Sequence, residues 1–321
     1  MQIKCYLRFS RSFFTKLTAA TLVLLLSLLI MPFYTDGDQK VYRAVYEVLP
    51  DLDLKEGFLF YTFNLSSQEF VHYILSWVAS PLVDKDLFIA LSNAILAYVA
   101  MSLFQKWKVS VIISFSLLLT NFYFLVLYFP AERLKFGFIF LALSMIYIDQ
   151  VKRFYGFAIL AIISHVQVII VYVSILFNVF VRQISKLIRT GKISKSGLYL
   201  VPFLFIPPLM VGNHLLTKFQ SYYGEGGLAG LARILLFLLL ALWYSKEKSE
   251  TFAIFVPLVI SVFLVGGDRV NLFGYFAFLY YGLQFRHGWN FGVLATSAYY
   301  AYSSIVFMAN VFQRGDGFIP G

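Results

Sequence analysis

The residues most able to do chemistry in this chain are ionisable side chains that interrupt long apolar runs. Arg133 begins an apolar run shortly after Pro130, and His165 lies in the middle of the apolar stretch 154–180. Ionisable groups at membrane depth are costly and are usually retained for a function. An arginine presents a fork suited to phosphate oxygens, and burial tends to keep a histidine neutral, which is the form that a general base requires. The two residues therefore predict phosphate binding and proton transfer.

Both residues also have a structural interpretation. Glu132 at the start of a helix would complement the helix dipole, while neighbouring bases extend toward the membrane interface. Lys135 fits that interpretation, whereas Arg133 fits it less well because a base at a helix N-terminus opposes the dipole and calls for an anionic partner. A lone histidine on a helix is more often a hydrogen-bonded structural group, although the polar neighbours of His165 favour a bend that lines a cavity.

A second arginine, Arg269, follows two glycines in the segment 266–269. Glycines permit a close approach of the backbone, and the guanidinium again suits phosphate. The alternative is a tight turn closed by a pair between Asp268 and Arg269. The segment predicts either a phosphate contact or a simple connection between two helices.

Polar and aromatic side chains also gather in two predicted outer loops. Asp38, Tyr42 and Tyr46 recur every four residues and so share one helix face, which is equally typical of an amphipathic surface helix. The loop 213–229 contributes Lys218, Tyr222 and Tyr223. Such a loop could close over a bound lipid-linked substrate, and many inert loops share its composition. The four histidines lack the spacing of metal ligands and no nucleotide-binding motif is present, so we predict no metal site and no ATP-driven pump.

Composition places all of these residues in a membrane protein. Hydrophobic residues make up 60% of the chain, charged residues only 13%, and the mean hydropathy is +0.78. A soluble domain this apolar would expose large apolar patches. The net charge of +10 does not indicate nucleic-acid binding, because the basic residues lie in short clusters between apolar runs.

The apolar runs predict an all-α polytopic fold with about 9–11 transmembrane helices, since a span needs about 20 residues. Clear spans are predicted at 16–34, 87–105, 109–129, 133–148, 198–212, 230–244, 251–265, 271–285 and 291–312. A short surface helix is expected at 38–49 within the acidic outer loop 35–69, and a re-entrant helix at 70–83. The stretch 154–180 is interpreted as a hairpin of two short helices that bends near His165, with one steeply tilted helix as the alternative.

Charge distribution predicts the orientation. Basic clusters at the N-terminus and in alternate loops favour the cytoplasm, whereas the loop 35–69 is acidic. We therefore expect a single membrane domain over 1–321, with the first helix uncleaved, the N-terminus inside and the C-terminus outside. The expected location is a bacterial inner membrane with the functional residues on the periplasmic face.

The order of these motifs resembles the Wzy/EpsG family of bacterial polysaccharide polymerases. The resemblance runs from about residue 15 to 312 and rests on four short motifs. They are Asp38 with Tyr42 and Tyr46, 131–136 (AERLKF), 163–167 (ISHVQ) and 267–269 (GDR). The residues after Arg133 depart from the exopolysaccharide pattern, which makes an O-antigen or capsule polymerase the expected branch.

The resemblance implies a GT-C-like membrane glycosyltransferase without a cofactor or metal. Such an enzyme would transfer a glycan chain, with inversion, from undecaprenyl diphosphate to the non-reducing end of a lipid-linked repeat unit. Its expected partners are undecaprenyl-diphosphate-linked oligosaccharides, membrane lipid and a Wzz-type chain-length regulator, without nucleic acid. By position, the resemblance places the functional residues of the family on Asp38, Arg133, His165 and Arg269. Together with the chemistry of the neighbouring residues, the candidates are the catalytic residues His165, Asp38 and Glu132, the pyrophosphate ligands Arg133, Arg269 and Lys218, and the sugar-binding rings Tyr42, Tyr222 and Tyr223.

Three other functions fit parts of the pattern. An O-antigen ligase uses the same donor with a lipid A core acceptor, but usually carries a larger outer loop. A transporter or lipid flippase tends to carry internal repeats and charges at the membrane midplane, and neither is evident in the sequence. A membrane-bound acyltransferase also uses a buried histidine.

Overall fold

The structure, a computed structural model, describes residues 2–191 and 227–318, with side chains from residue 12 onward, and all regular structure there is helical. In chain order the helices are α1 Gln2–Ile30, α2 Asp38–Val48, α3 Leu54–Leu65, α4 Phe70–Ala79, α5 Lys85–Lys106, α6 Val111–Thr120, α7 Phe122–Tyr128, α8 Glu132–Ile146, α9 Val151–Ser164, α10 Ile169–Thr190, α11 Leu228–Tyr244, α12 Lys248–Val265, α13 Gly267–Gln284 and α14 Phe291–Arg314. The all-α class is confirmed. The predicted span 198–212 lies outside the described residues.

Several of these helices are long and apolar enough to cross a membrane. Five described segments meet both conditions, namely Ser12–Phe33, Lys85–Lys106, Val166–Thr190, Lys248–Val265 and Phe291–Arg314, and a sixth does so if α6 and α7 count as one span. The chain is therefore a multi-pass membrane protein. The expected 9–11 spans also counted 133–148, 230–244 and 271–285, which correspond to α8, α11 and α13 and are not among these segments. α8 and α11 have only 15 and 17 residues.

The span predicted at 109–129 is wrong as a single helix. It is broken at Asn121, and the two halves bend by 57°. Asn121 adopts an extended backbone conformation and its side chain accepts a hydrogen bond from the Tyr123 amide at 3.1 Å. An N-cap of this kind starts a new helix instead of continuing the old one.

The helices form two compact units, 1–166 with 294–321 and 167–293. The single membrane domain expected over 1–321 stays a prediction. In the first unit, α5 is the central helix and packs against α1 and α8. Polar pairs fix the contact with α1, because Ser12 Oγ donates to Gln105 Oε1 at 2.7 Å and Asn93 Nδ2 donates to Ser27 Oγ at 3.0 Å.

The acidic segment 35–69, which was predicted to be an outer loop, is more ordered than the sequence predicted. The surface helix expected at 38–49 is present as α2, and a further helix, α3, follows it. Asp53 caps α3 by accepting hydrogen bonds from the amides of Lys55 and Glu56, both at 2.8 Å. Buried Tyr61 of α3 and Tyr73 of α4 pack into one apolar cluster, which anchors α3.

The break predicted near His165 is confirmed. α9 ends at Ser164, His165 is extended with φ −158°, and a short 3-10 turn leads into α10. One continuous tilted helix over 154–180 is therefore wrong. The second helix is longer than expected, since α10 has 22 residues and passes beyond residue 180.

In the second unit, α11, α12 and α13 pack against one another and α10 packs on α12. α11 meets α13 through two glycines, and a Cβ on Gly230 would lie 2.7 Å from the Gly267 Cα. The expected turn at 266–269 shrinks to one residue, Gly266 at φ 92°, because α13 begins at Gly267. Arg269 therefore lies in the first turn of α13.

Candidate functional site

Three side chains from separate elements meet in the first unit, and we call them the Glu69 triad. Arg133 Nη1 lies 3.0 Å from Glu69 Oε2, and His165 Nδ1 pairs with Glu69 Oε1. Ser67 Oγ donates to the same carboxylate at 2.5 Å. Glu69 thus supplies the anionic partner that Arg133 was predicted to need.

Local structure explains why the triad forms. Glu69 immediately precedes α4, Arg133 lies in the first turn of α8, and His165 follows the last residue of α9. Because α4 packs against both α8 and α9, residues at these helix ends converge. The side chain of Arg133 is 24% exposed, that of Glu69 is 12% exposed and that of His165 is 13% exposed. The triad is therefore largely buried but still accessible to solvent.

The charge of Glu69 is set by two opposing effects. Burial raises the pKa of this carboxyl, but the neighbouring His165 and the Arg133 guanidinium outweigh burial and hold the pKa well below its usual range. Glu69 is therefore a carboxylate at neutral pH. An ionised carboxylate beside Nδ1 favours the proton on that nitrogen, which leaves Nε2 as the ring nitrogen able to take a proton.

Tyr42 holds Arg133 from the other side. Arg133 Nε donates to the Tyr42 hydroxyl at 2.8 Å, and the ring centroid lies 5.7 Å from the Arg133 guanidinium carbon and 5.4 Å from Lys85 Nζ. Burial raises the pKa of Tyr42, so its hydroxyl stays protonated. The ring is only 5% exposed, and it offers no open face of the kind that sugar stacking would need. Tyr42 positions Arg133 in this structure.

Glu132 lies beside the triad in a second cluster that is fully buried. Its Oε1 accepts hydrogen bonds from Lys85 Nζ and Gln39 Nε2, both at 2.6 Å, and Oε2 lies 3.7 Å from His72 Nε2. His72 Nδ1 in turn contacts the Tyr61 hydroxyl at 2.9 Å. With 1% exposure, Glu132 is engaged in joining α2, α4, α5 and α8.

The interpretation of Lys135 as a side chain that reaches the membrane interface is wrong. Lys135 is fully buried. Its Nζ donates to Ser92 Oγ at 2.9 Å, Asn93 Oδ1 at 2.5 Å and the Tyr128 carbonyl at 3.3 Å. The Lys135 side chain lies between α5 and α8. It can be buried there because the three oxygens replace water around its ammonium group.

The remaining predicted site residues lie elsewhere. Asp38 begins α2 and is exposed, while Gln39 beside it faces the interior. Arg269 belongs to the second unit and is exposed. Lys218, Tyr222 and Tyr223 lie outside the described residues, as does most of the loop 213–229.

Sequence reasoning missed Glu69, His72 and Lys85 as members of these clusters. Glu69 was counted as one of many acids in the outer loop, and Lys85 lies between two acids that suggested a solvated segment. One signal was present, because Lys85 lies two residues before the apolar run that begins at Leu87, and a base there needs a partner at the membrane boundary.

A narrow cleft adjoins the Glu132 cluster and is lined in part by Tyr42, Tyr46, His72 and Lys85. Its interior of about 10 Å³ admits about one water molecule. A metal site is not indicated in the part of the chain that the structure describes, where no three His, Cys, Asp or Glu side chains are placed to share an ion.

Comparison with models of protein families, with curated proteins and with solved structures finds no match to this chain.

Proposed function

We propose that this chain is a membrane glycosyltransferase that polymerises a polysaccharide from repeat units linked to a polyprenyl diphosphate. In its O-antigen or capsule form, the reaction moves the growing glycan from undecaprenyl diphosphate onto the next lipid-linked repeat. The proposal includes a GT-C-like fold, a bacterial inner membrane and a periplasmic site. It rests first on the sequence resemblance to polysaccharide polymerases.

The observation that carries the proposal is the Glu69 triad. An arginine and a histidine that lie 32 positions apart in the chain contact the two oxygens of one carboxylate. A glycosyl transfer from a lipid diphosphate needs a base for the acceptor hydroxyl and a cation for the departing diphosphate. The triad supplies both in one partly enclosed place.

In the proposed step, His165 acts on the acceptor. Its Nε2 takes the proton of the acceptor hydroxyl while that oxygen forms a bond to the anomeric carbon of the donor. The bond from the anomeric carbon to the diphosphate oxygen breaks, and the diphosphate leaves with the electron pair. Glu69 stabilises the imidazolium that results, as a carboxylate does beside a catalytic histidine.

Arg133 acts on the leaving group. Tyr42 and Glu69 hold its Nε and Nη1, which preorganises the guanidinium before the donor binds. A preorganised cation stabilises the developing diphosphate charge more than a mobile one would, because no reorganisation is needed in the transition state. Arg269 and Lys218 remain proposed as further diphosphate ligands.

The test uses purified protein supplied with a lipid-linked repeat unit, with product length measured on a gel. We expect the wild type to form long glycans and Arg133→Gln to lower polymer formation at least about 100-fold, as for loss of one transition-state donor. Arg314→Gln is the matched control, since Arg314 is an exposed arginine at the end of α14. Long polymer from Arg133→Gln would refute the role of the triad.

Acyl transfer is the second candidate, because a carboxylate–histidine pair also activates a hydroxyl toward an acyl donor. The same assay separates the candidates when a lipid A core acceptor and an acyl donor are also supplied and product masses are measured. Elongated glycan supports the polymerase, transfer to a lipid A core acceptor identifies a ligase, and an acylated repeat unit of unchanged length identifies an acyltransferase.

A further inference from the structure

One end of the second unit combines exposed bases with exposed aromatic rings. Lys246 lies in the connection between α11 and α12, and Lys248 is the first residue of α12. Arg286 lies in the connection from α13 to α14. All three side chains are exposed. Glu250 lies nearby but already pairs with Arg182 of α10. Exposed Glu247 is the remaining acid of this segment, so the end keeps an excess of positive charge.

Contacts show that these segments share one end of the unit. The Tyr244 hydroxyl, at the end of α11, accepts a hydrogen bond from the Gly292 amide at 2.8 Å. The Tyr244 ring lies 5.3 Å from that of Phe285. Ser245 and Thr251 are joined at 2.5 Å. The ends of α11 and α13 and the starts of α12 and α14 therefore meet.

Large aromatic side chains surround these bases. Trp243 is 83% exposed, Trp289 is 47% exposed and Phe291 is 82% exposed. Tryptophan is enriched where a membrane protein meets the headgroup layer, because its ring is apolar and its N–H is polar. Aromatic and basic side chains that lie close together in this way are typical of a surface that contacts lipid headgroups.

The connection between α13 and α14 has an unusual backbone. Arg286 and His287 both adopt left-handed conformations, with φ 49° and 57°, and Gly288 follows at φ 88°. Such conformations persist in non-glycine residues only where the surroundings hold them, and they cluster at ligand sites. Asn290 holds this turn, since its Nδ2 donates to the Gly282 and Phe285 carbonyls at 2.7 and 3.2 Å.

We propose that this end, formed by Lys246, Lys248, Arg286 and the rings of Trp243 and Trp289, binds the phosphate headgroups of anionic phospholipids. Three bases offer charge complementary to phosphate, and each base near a membrane surface favours anionic lipid by roughly fivefold. The rings fix the depth at which the bases meet the headgroup. This inference is independent of the proposed glycosyl transfer.

The test uses tryptophan quenching in the reconstituted full-length protein. Trp77 and Trp107 are replaced by Phe, which leaves Trp243 and Trp289 as reporters among the four tryptophans. Vesicles contain a fixed fraction of brominated phosphatidylglycerol or, separately, brominated phosphatidylcholine. We expect the anionic lipid to quench with an apparent affinity at least about fivefold higher.

Variants that remove charge then test whether the three bases cause the preference for anionic lipid. The triple variant Lys246→Gln, Lys248→Gln, Arg286→Gln is expected to quench equally with both lipids. The matched control Lys40→Gln, Lys55→Gln, Arg233→Gln removes the same charge from exposed positions elsewhere and is expected to keep the preference. Equal quenching in the parent protein would overturn the proposal, as would a preference that survives the triple variant. Loss of the preference on adding inorganic phosphate would identify a free-anion site and overturn it as well.

Discussion

At Glu69, the neighbouring side chains of Arg133 and His165 compete with burial for control of one charge. The outcome is a carboxyl whose pKa lies well below its usual range. The sequence predicted Arg133 and His165 as functional residues and predicted that Arg133 needs an anion, yet it did not identify that anion. Seven acids lie in residues 36–69, and only the packing of α4 against α8 and α9 selects one of them.

We expect Glu69→Gln to lower the free energy of unfolding by about 3 kcal/mol at pH 7, because Arg133 and His165 lose their common partner. The effect should depend on pH. Since the native pKa of Glu69 is lowered, its stabilisation is present above the unfolded value of about 4.3 and is lost as the pH falls toward the native value. Thermal unfolding of both proteins from pH 8 to pH 3 measures the difference.

The matched control for Glu69 is Glu47→Gln, because Glu47 is an exposed glutamate on α2. Its unfolding temperature should equal that of the wild type at pH 7. A gap between the wild type and Glu69→Gln that widens on acidification would contradict the sign of the pKa shift.

At the scale of helices, sequence patterns predicted the positions of the helices better than they predicted the directions in which side chains point. Hydropathy predicted α5 and α14 to within about two residues, since long apolar runs have one low-energy solution in a membrane. The direction of Lys135 was not predictable, because its three oxygen partners depend on how α5 and the end of α7 pack against α8. Asn121 broke a predicted span for a local reason, namely that its side chain caps the next helix.

The contact between α11 and α13 allows a test at this scale. A methyl group at Gly230 would meet the Gly267 backbone at 2.7 Å, so Gly230→Ala must push the two helices apart. We expect a loss of about 1–3 kcal/mol of stability, typical of overpacking. Gly156→Ala, inside α9, meets nothing within 4 Å and should unfold no lower than the wild type, because alanine favours a helix interior over glycine. Thermal unfolding in detergent compares them, and equal losses in both variants would contradict the close contact.

For the molecule as a whole, composition predicted the class and charge predicts the orientation. The all-α, multi-pass character follows from the composition, because a chain that is 60% hydrophobic satisfies its backbone in lipid by forming helices. The boundary between the two compact units was not predicted. The chain passes from one unit to the other at residues 166–167 and again at 293–294. The first of these points follows the polar interruption around His165, where the sequence has no linker composition.

Orientation remains a prediction that charge alone supports, and cysteine labelling tests it. Lys55 of α3 lies in the acidic loop, and Lys152 of α9 lies in a basic connection; both side chains are exposed. In a Cys5→Ser background, we expect a membrane-impermeant maleimide to label Lys55→Cys in cells whose outer membrane alone is permeabilised. Lys152→Cys should react only after the inner membrane is opened, because basic connections stay in the cytoplasm. The reverse pattern would place the Glu69 triad, which lies at the start of α4 in the first unit, on the cytoplasmic face. A site on that face could not extend the proposed lipid-linked polymer on the outer side of the membrane.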